Sequence, residues 1–311
     1  MKRFRWMRNL GFLVIFLPLT VLAGFWAGSR LSATMPVRAA EPTPEEVVHE
    51  ETPAFVTKDS SVRDVVLLML RSGERWQSVT FSGPSAYVQN SDGAVRTQWV
   101  EGAIEQDSKT GPYRFSLALH DQKDSEAVYR SISDGTTKWE VLPGTKYYVQ
   151  EPLGLGLLPP SELPMVNDAD HPFIPHPMSG KVGTPFADML FPQGFAQQLA
   201  VYLSSEKLTL LGTEKVAGRE AVILQYDMDA NSRFVIWVDG ETGILLKLRF
   251  YDVSGLKSGH WNQEIEIAGL QFDKKDNREM FTFDPAGLQE VGYREIDQAW
   301  NQIMTEQKGG Q

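Results

Sequence analysis

The feature that most limits what this chain can become is the alternation at 113–120. Tyr113, Phe115, Leu117 and Leu119 are separated by Arg114, Ser116, Ala118 and His120. Period two marks a strand with one apolar and one mostly polar face. The run lies within 101–149, where turn signals close each strand-like piece, Gly111-Pro112 at one join and Asp134-Gly135 at another. A sheet of such strands carries an apolar face that something must cover.

The same pattern extends in both directions. Strands are predicted over 76–81, 85–89, 95–102, 113–120, 126–133, 138–142 and 146–151, with further turn signals at Gly83-Pro84 and Asp92-Gly93. They resume over 208–215, 219–228, 233–239, 244–251 and 261–270, with a short turn at 239–243. A last short edge is expected at 280–283, ended by Asp284-Pro285. Ser60 or Ser61 can cap a helix over 60–71, where Val65, Leu68 and Met69 recur at helical spacing and Gly73 marks the stop. One or two helices are predicted over 186–204, interrupted near Pro192 and carrying Phe191 and Phe195. Tyr293, Ile296, Trp300, Ile303 and Met304 share one face of a terminal helix. Between the two strand series, 152–185 is dense in Pro and Gly and holds no long regular element. With no long internal repeat, two hairpin-rich halves flanking one insert suggest a single curved sheet.

The chain has 311 residues and no Cys, which excludes disulfides, thiolate metal sites and a cysteine nucleophile. Residues 1–40 hold Lys2, Arg3, Arg5, Arg8, Arg30 and Arg38 and no acidic residue, leaving 24 basic against 40 acidic from Glu41 onward, a balance of −16. So acidic a body has no electrostatic footprint for nucleic acid. The basic flank 1–8 precedes an uncharged run, 9–29, that is long enough to span a bilayer and longer than the usual signal-peptide core. The flank orients it so that the body lies outside the cytoplasm, anchored to the membrane or released if the segment is cleaved as a signal peptide after Ala23 or Ala39. An acidic, Pro-rich tether follows at 30–58. The main domain is expected at 59–286, with an irregular and helical insert at 152–204, and an amphipathic helix and tail at 287–311.

Candidate chemistry is thin. Asp168, Asp170, His171 and His176 cluster in the insert, but their spacing matches no metal signature, and Pro172 and Pro175 disturb any helix that would align the two His. Ser204 and Lys207 have Ser-x-x-Lys spacing without the supporting motifs of a penicillin-binding enzyme. GLGLLPP and PMSGKVG are incomplete phosphate loops. Glu264 and Glu266 lie on one face of a strand, as a solvated side does. No nucleophile–base pair stands out, so neither an enzyme nor a cofactor or metal is expected. The remaining signal is apolar. By alternation, Val79, Phe81, Trp99, Phe115, Leu117, Leu119, Trp139, Val141, Ile236, Leu246, Leu248, Phe250, Ile265 and Ile267 are assigned to one face, as core or as the lining of a cavity. Val65, Leu68, Met69, Phe191 and Phe195 are assigned to its helical lid.

Several fragments resemble a known superfamily. Gly111-Pro112-Tyr113-Arg114-Phe115 is similar to its Pro-Gly-Lys-Phe-Arg strand start, and 133–139, SDGTTKW, to its Ser-Asp-Gly-Lys-x-x-Trp hairpin. Residues 237–243, WVDGETG, resemble its Trp-Val-Asp-x-x-Thr-Gly turn, and Phe281-Thr282-Phe283-Asp284-Pro285 closes the match over roughly 60–286. The superfamily is that of the LolA/LolB-like lipoprotein carriers and the N-terminal domain of RseB/MucB. The resemblance implies an α+β, mainly β fold: a strongly curved antiparallel sheet, an incomplete barrel, with helices covering its open, apolar concave side. It further implies a lipid or acylated lipoprotein as ligand or, for an RseB/MucB-like regulator of envelope stress, a membrane protein partner.

Overall fold

The computed structural model describes residues 52–88, 94–106, 113–152, 184–273 and 278–309. The basic flank, the candidate anchor, most of the tether, both glycine motifs and the insert's His/Asp group lie outside them. The described residues of 52–87 and 97–311 belong to one compact unit, which carries the sheet.

Helix α1 (Val62–Leu70) begins where Ser61 and Asp64 satisfy each other's backbone N–H groups, at 3.1 and 2.9 Å. That reciprocal cap serves donors that the first helical turn leaves orphaned. The meander follows as β1 (Ser78–Val88), β2 (Val95–Gln106), β3 (Tyr113–His120), β4 (Ala127–Ser133), β5 (Thr137–Leu142) and β6 (Tyr147–Pro152). Helices α2 (Thr184–Leu190) and α3 (Gln193–Ala200) break at Pro192. Then come β7 (Leu208–Val216), β8 (Arg219–Asp229), β9 (Ser232–Asp239), β10 (Leu245–Tyr251), α4 (Val253–Ser258), β11 (Gln263–Glu266), β12 (Gly269–Phe272), β13 (Gln289–Glu290) and α5 (Tyr293–Gly309).

All 13 strands join one sheet, in the order β13-β6-β5-β4-β3-β2-β1-β11-β10-β9-β8-β7, with β12 also pairing β1. The end strands β13 and β7 do not meet, so this is a curved, mainly antiparallel α+β sheet not closed into a barrel. The two strand series seen in the sequence are its two halves, joined where β1 meets β11.

Three local expectations change. Gly83-Pro84 is not a turn: β1 runs through it, pairing with β12 before it (Val79 to Ser82) and with β11 after it (Ser85 to Tyr87). A Cβ on Gly83 would stand 1.8 Å from the Glu266 carbonyl oxygen, so glycine is needed for close backbone approach. The single strand expected at 261–270 is accordingly two, β11 and β12, each on its own length of β1. Residues 280–283 are not a strand either. Arg278–Phe281 forms a 3-10 turn, and the edge is supplied instead by β13, which runs parallel to β6.

The turn at Asp239 ties the cover to the sheet. Its carboxylate, 1% exposed, accepts from the Thr242 backbone N–H (2.7 Å), the Thr242 hydroxyl (2.8 Å) and the Arg219 guanidinium (2.5 and 3.0 Å). So bonded, a buried charge is tolerated. The turn delivers Gly243 at φ +76°, where a Cβ would lie 2.4 Å from the Leu68 carbonyl of α1. Gly243→Ala is therefore expected to cost about 1–3 kcal/mol, lowering Tm by several degrees and raising hydrogen exchange in α1 more than in β9. Thermal melts with exchange mass spectrometry check this, and an unchanged α1 would contradict it.

Candidate functional site

Pairing assigns every strand residue to a face, because partners directly opposite each other point the same way. Phe115 opposes Ile104, Leu117 opposes Gly102, and Leu119 opposes Val100 and Tyr129. A Cβ on Gly102 would touch both the Phe81 ring (2.5 Å) and Leu117 (2.7 Å), which puts Phe81 on this same inner face. Across the other half, Ile236 opposes Leu248 and Leu224, Phe234 opposes Phe250 and Tyr226, and Ile265 opposes Leu248.

The helices cover this face. Phe186 of α2 stacks on Phe81 with centroids 5.6 Å apart, and Phe195 of α3 meets the edges of Phe234 and Tyr226 at 5.7 and 6.4 Å. Phe191 packs on Trp76 at 5.3 Å. Val65, Leu68, Met69, Phe186, Met189, Leu190 and Phe191 are buried in one cluster with Val79, Phe81, Phe115, Leu117, Leu119, Ile236, Leu246, Ile265 and Ile267. Leu248, Phe250 and Phe195 pack against it half-buried. Side chains of sheet and helices fill this interface together.

Three residues assigned to the lining fall on the opposite, outer face. Trp99 opposes His120 and donates from Nε1 to Glu101 (3.1 Å) under the Lys123 ammonium. Trp139 opposes Ile132, and Val141 opposes Arg130. Alternation assigns Trp139 and Val141 of β5 to the lining, but register reverses that. Asp134 closes the β4–β5 hairpin by accepting from the Thr136 and Thr137 N–H groups, both at 2.8 Å, and so sets Ser133 opposite Lys138. Because Ser133 also opposes Phe115, Lys138 and Glu140 point inward. Trp139 and Tyr148 instead pack on Phe283 at 5.5 and 5.1 Å, which is why 280–283 lies over the outer face rather than pairing.

The inner face therefore changes character along the sheet. At β4–β6 it carries Tyr129, Ser131, Ser133, Lys138, Glu140 and Glu151. Lys138 Nζ pairs with Glu140 (3.1 Å) and with Glu151, and Lys138 and Glu140 are buried. Helix α5 lies over this end: Trp300 meets Tyr129 edge-on at 5.7 Å, Tyr293 hydrogen-bonds Glu151, and Ile296 is buried. The hairpin register is the sequence signal that reveals this polar end.

The other candidates resolve simply. Lys207 donates to the Met228 carbonyl (2.9 Å) and sits over the Tyr202 ring, away from catalytic work with Ser204. Glu264 and Glu266 lie on the outer face in ion pairs with Lys247 and Arg249. An outer groove of about 390 Å³ between α4 and β7–β10 is lined by residues including Val235, Trp237, Arg233 and Arg249. Among the described residues, no group of three or more His, Cys, Asp or Glu is placed to hold a metal, and no helix is long and apolar enough to cross a membrane.

A single open sheet whose apolar face is roofed by short helices is the arrangement that the sequence likeness implied. Residues 173–257 match the family model of the MucB/RseB N-terminal domain, so the chain is similar to the RseB/MucB and LolA/LolB-like proteins. Among solved structures, MucB matches with 18% identity and a TM-score of 0.39, over 70% of this chain and 62% of MucB. The Pseudomonas aeruginosa MucA/MucB complex matches with 19% identity and a TM-score of 0.39, over 73% and 63%. A LolA superfamily protein from Nitrosomonas europaea matches with 13% identity and a TM-score of 0.29, over 72% and 99%. The chain thus spans less than two-thirds of the MucB chains it matches. No curated protein matches it.

The contacts under α5 make its docking depend on pH. Burial works against the Glu151 carboxylate, but the bonds from Lys138 and Tyr293 and the Lys138 charge prevail, holding its pKa below the ordinary 4.5. Burial, the bond to Glu151 and the charges of Glu140 and Glu151 raise Tyr293 well above 10.0. A depressed carboxylate contributes stability above its unfolded value and loses it as pH falls through the folded one. A raised phenol contributes below its unfolded value and loses it as pH climbs toward the folded one. Hydrogen exchange over α5 is therefore expected to be slowest between about pH 4.5 and 10 and to speed up outside that window, more than in β9, with the acid limb weakened in Glu151→Gln. Exchange measured across pH, corrected for its intrinsic rate, checks this; equal changes in both elements would contradict it.

Proposed function

We propose that this protein holds the acyl portion of a lipid or lipoprotein between the inner face of its sheet and helices α1–α3. The carrying observation is the cover itself: a continuous apolar face roofed by helices of nine, seven and eight residues. Burying an acyl chain gains about 0.8 kcal/mol per CH₂, on the order of 12 kcal/mol for a palmitoyl-length chain. Displacing buried side chains such as Phe186, Met189, Leu190 and Phe191 costs about 1.5–3 kcal/mol each. The exchange is near balance, which suits a protein that must both take up and release its ligand. It requires no catalytic group. The basic flank and uncharged run at 1–29 support a site outside the cytoplasm, at or released from the membrane.

A second reading is a regulator acting through a membrane protein partner. It is favoured by the match of 173–257 to the MucB/RseB N-terminal domain and by the solved assembly of MucB with MucA. Ligand uptake would then be the input that alters partner contact, and the same site serves both readings.

Full-length protein extracted in mild detergent is expected to carry a lipid-mass adduct in native mass spectrometry and to take up fluorescent fatty acid. Phe195→Ala, which removes a half-buried plug over Phe234, is expected to raise fatty-acid affinity by roughly ten- to a hundredfold, since less apolar surface must be displaced. A variant that merely misfolds loses affinity. Leu248→Asp, with folding checked by circular dichroism, is expected to abolish uptake. A clean apo mass together with no uptake would overturn the acyl-binding reading and leave partner binding as the one to pursue.

A further inference from the structure

Resting on that reading, we infer that the β4–β6 end of the inner face is a headgroup site, and that the amphiphile it selects ends in a primary ammonium. One rung of the sheet runs from buried charge to the lid. Glu140 on β5 opposes Ser131 on β4, Ser131 opposes Leu117 on β3, Leu117 opposes Gly102 on β2, and the space over Gly102 is filled by Phe81 from β1. Along this line the surface passes from buried charge through a hydroxyl to buried hydrocarbon, then to the Phe186 ring of the lid. Strands are spaced about 4.8 Å apart, so Glu140 lies about 10 Å from Leu117. That is the scale of a phosphoethanolamine–glycerol headgroup between its nitrogen and its first chain carbons.

The charge at the end of the rung has a defined sign. The Lys138 ammonium faces two carboxylates, Glu140 and Glu151, so the group is anionic by one charge. Glu140 is 2% exposed, and its Oε2 is buried without a hydrogen-bond partner. A buried acceptor left unmet destabilises the fold, and an apolar triad of similar volume would pack at no such cost. A primary ammonium supplies the missing donors: one N–H for Glu140 Oε2, one in reach of Glu151, and a unit of positive charge that neutralises the cluster. Ser131 and Ser133, both buried beside it, offer hydroxyls on the path toward Leu117. Helix α5 roofs the site through Tyr293 and Trp300, so admission of a headgroup requires α5 to lift, just as admission of the chain requires α1–α3 to lift.

The test uses the full chain in detergent with dioleoyl phosphatidylethanolamine and dioleoyl phosphatidylglycerol, which share acyl chains and differ in the headgroup. Retention is read by native mass spectrometry in direct competition, and fatty-acid uptake is measured in parallel. The wild type is expected to retain the ethanolamine lipid at least about tenfold over the glycerol lipid. Glu140→Gln is expected to bring the ratio near one with fatty-acid uptake unchanged, and Glu151→Gln, at a more exposed position, to reduce it partially. Equal retention by the wild type with fatty-acid uptake intact would overturn the headgroup site and leave acyl binding standing. A preference that survives in a folded Glu140→Gln would overturn the assignment to this rung. No uptake of either lipid or of fatty acid would overturn both. The wild-type ratio decides even if a variant fails to fold.

Discussion

An open sheet with one apolar face is stable in water only when that face is covered, and in this protein everything else answers to that requirement. Cover by a second sheet would give a sandwich whose two faces are locked together along every strand. Cover by α1, α2 and α3 instead places separate, short elements over Phe81, Ile236 and Phe234. What holds them is local. The Asp239 turn presses Gly243 against the Leu68 carbonyl, and the backbone N–H of Val56 donates to the Gly240 carbonyl in the same turn (2.8 Å). The cover is tied to the sheet at a hydrogen-bonded turn and packs on it through apolar side chains.

The strands were legible in the sequence because period two and turn chemistry are local properties. The Asp134 and Asp239 turns stand where their residues demand them, and the Ser61 cap opens α1 as its spacing with Asp64 requires. What escaped local reading was set by partners distant in the chain. Gly83-Pro84 has turn composition, yet Glu266, far along the sequence, uses that glycine as a point of close approach. Phe281 and Phe283 alternate as an edge strand would, yet Trp139 and Tyr148 offer Phe283 an apolar surface on the outer face.

Faces were harder still. Phe115, Leu117 and Leu119 share one face because alternation fixes parity within a strand. Parity between strands depends on register, and a single-residue offset inverts an entire strand. Reading Trp139 and Val141 as interior was natural for two apolar residues flanked by Lys138 and Glu140. The hairpin places the charges inside instead, and Phe283 supplies the outer tryptophan with its cover. Hydrophobicity predicts which side is buried only where one side is; on β5 the inner side is buried and the outer side is half-buried at Trp139 and buried at Val141.

The inner cover consists of helices too short to persist alone, since isolated helices below about 12–15 residues are marginal in water. Their order therefore depends on the side chains they press onto the sheet, and under the proposed function those same contacts are what an acyl chain would replace. Local opening at the low end of a protein's stability range is the physical route to such an exchange. The sheet beneath the helices is bonded strand to strand from β13 to β7. Under the proposed function, the apolar face that packs the helices is the same face that would take the acyl chain.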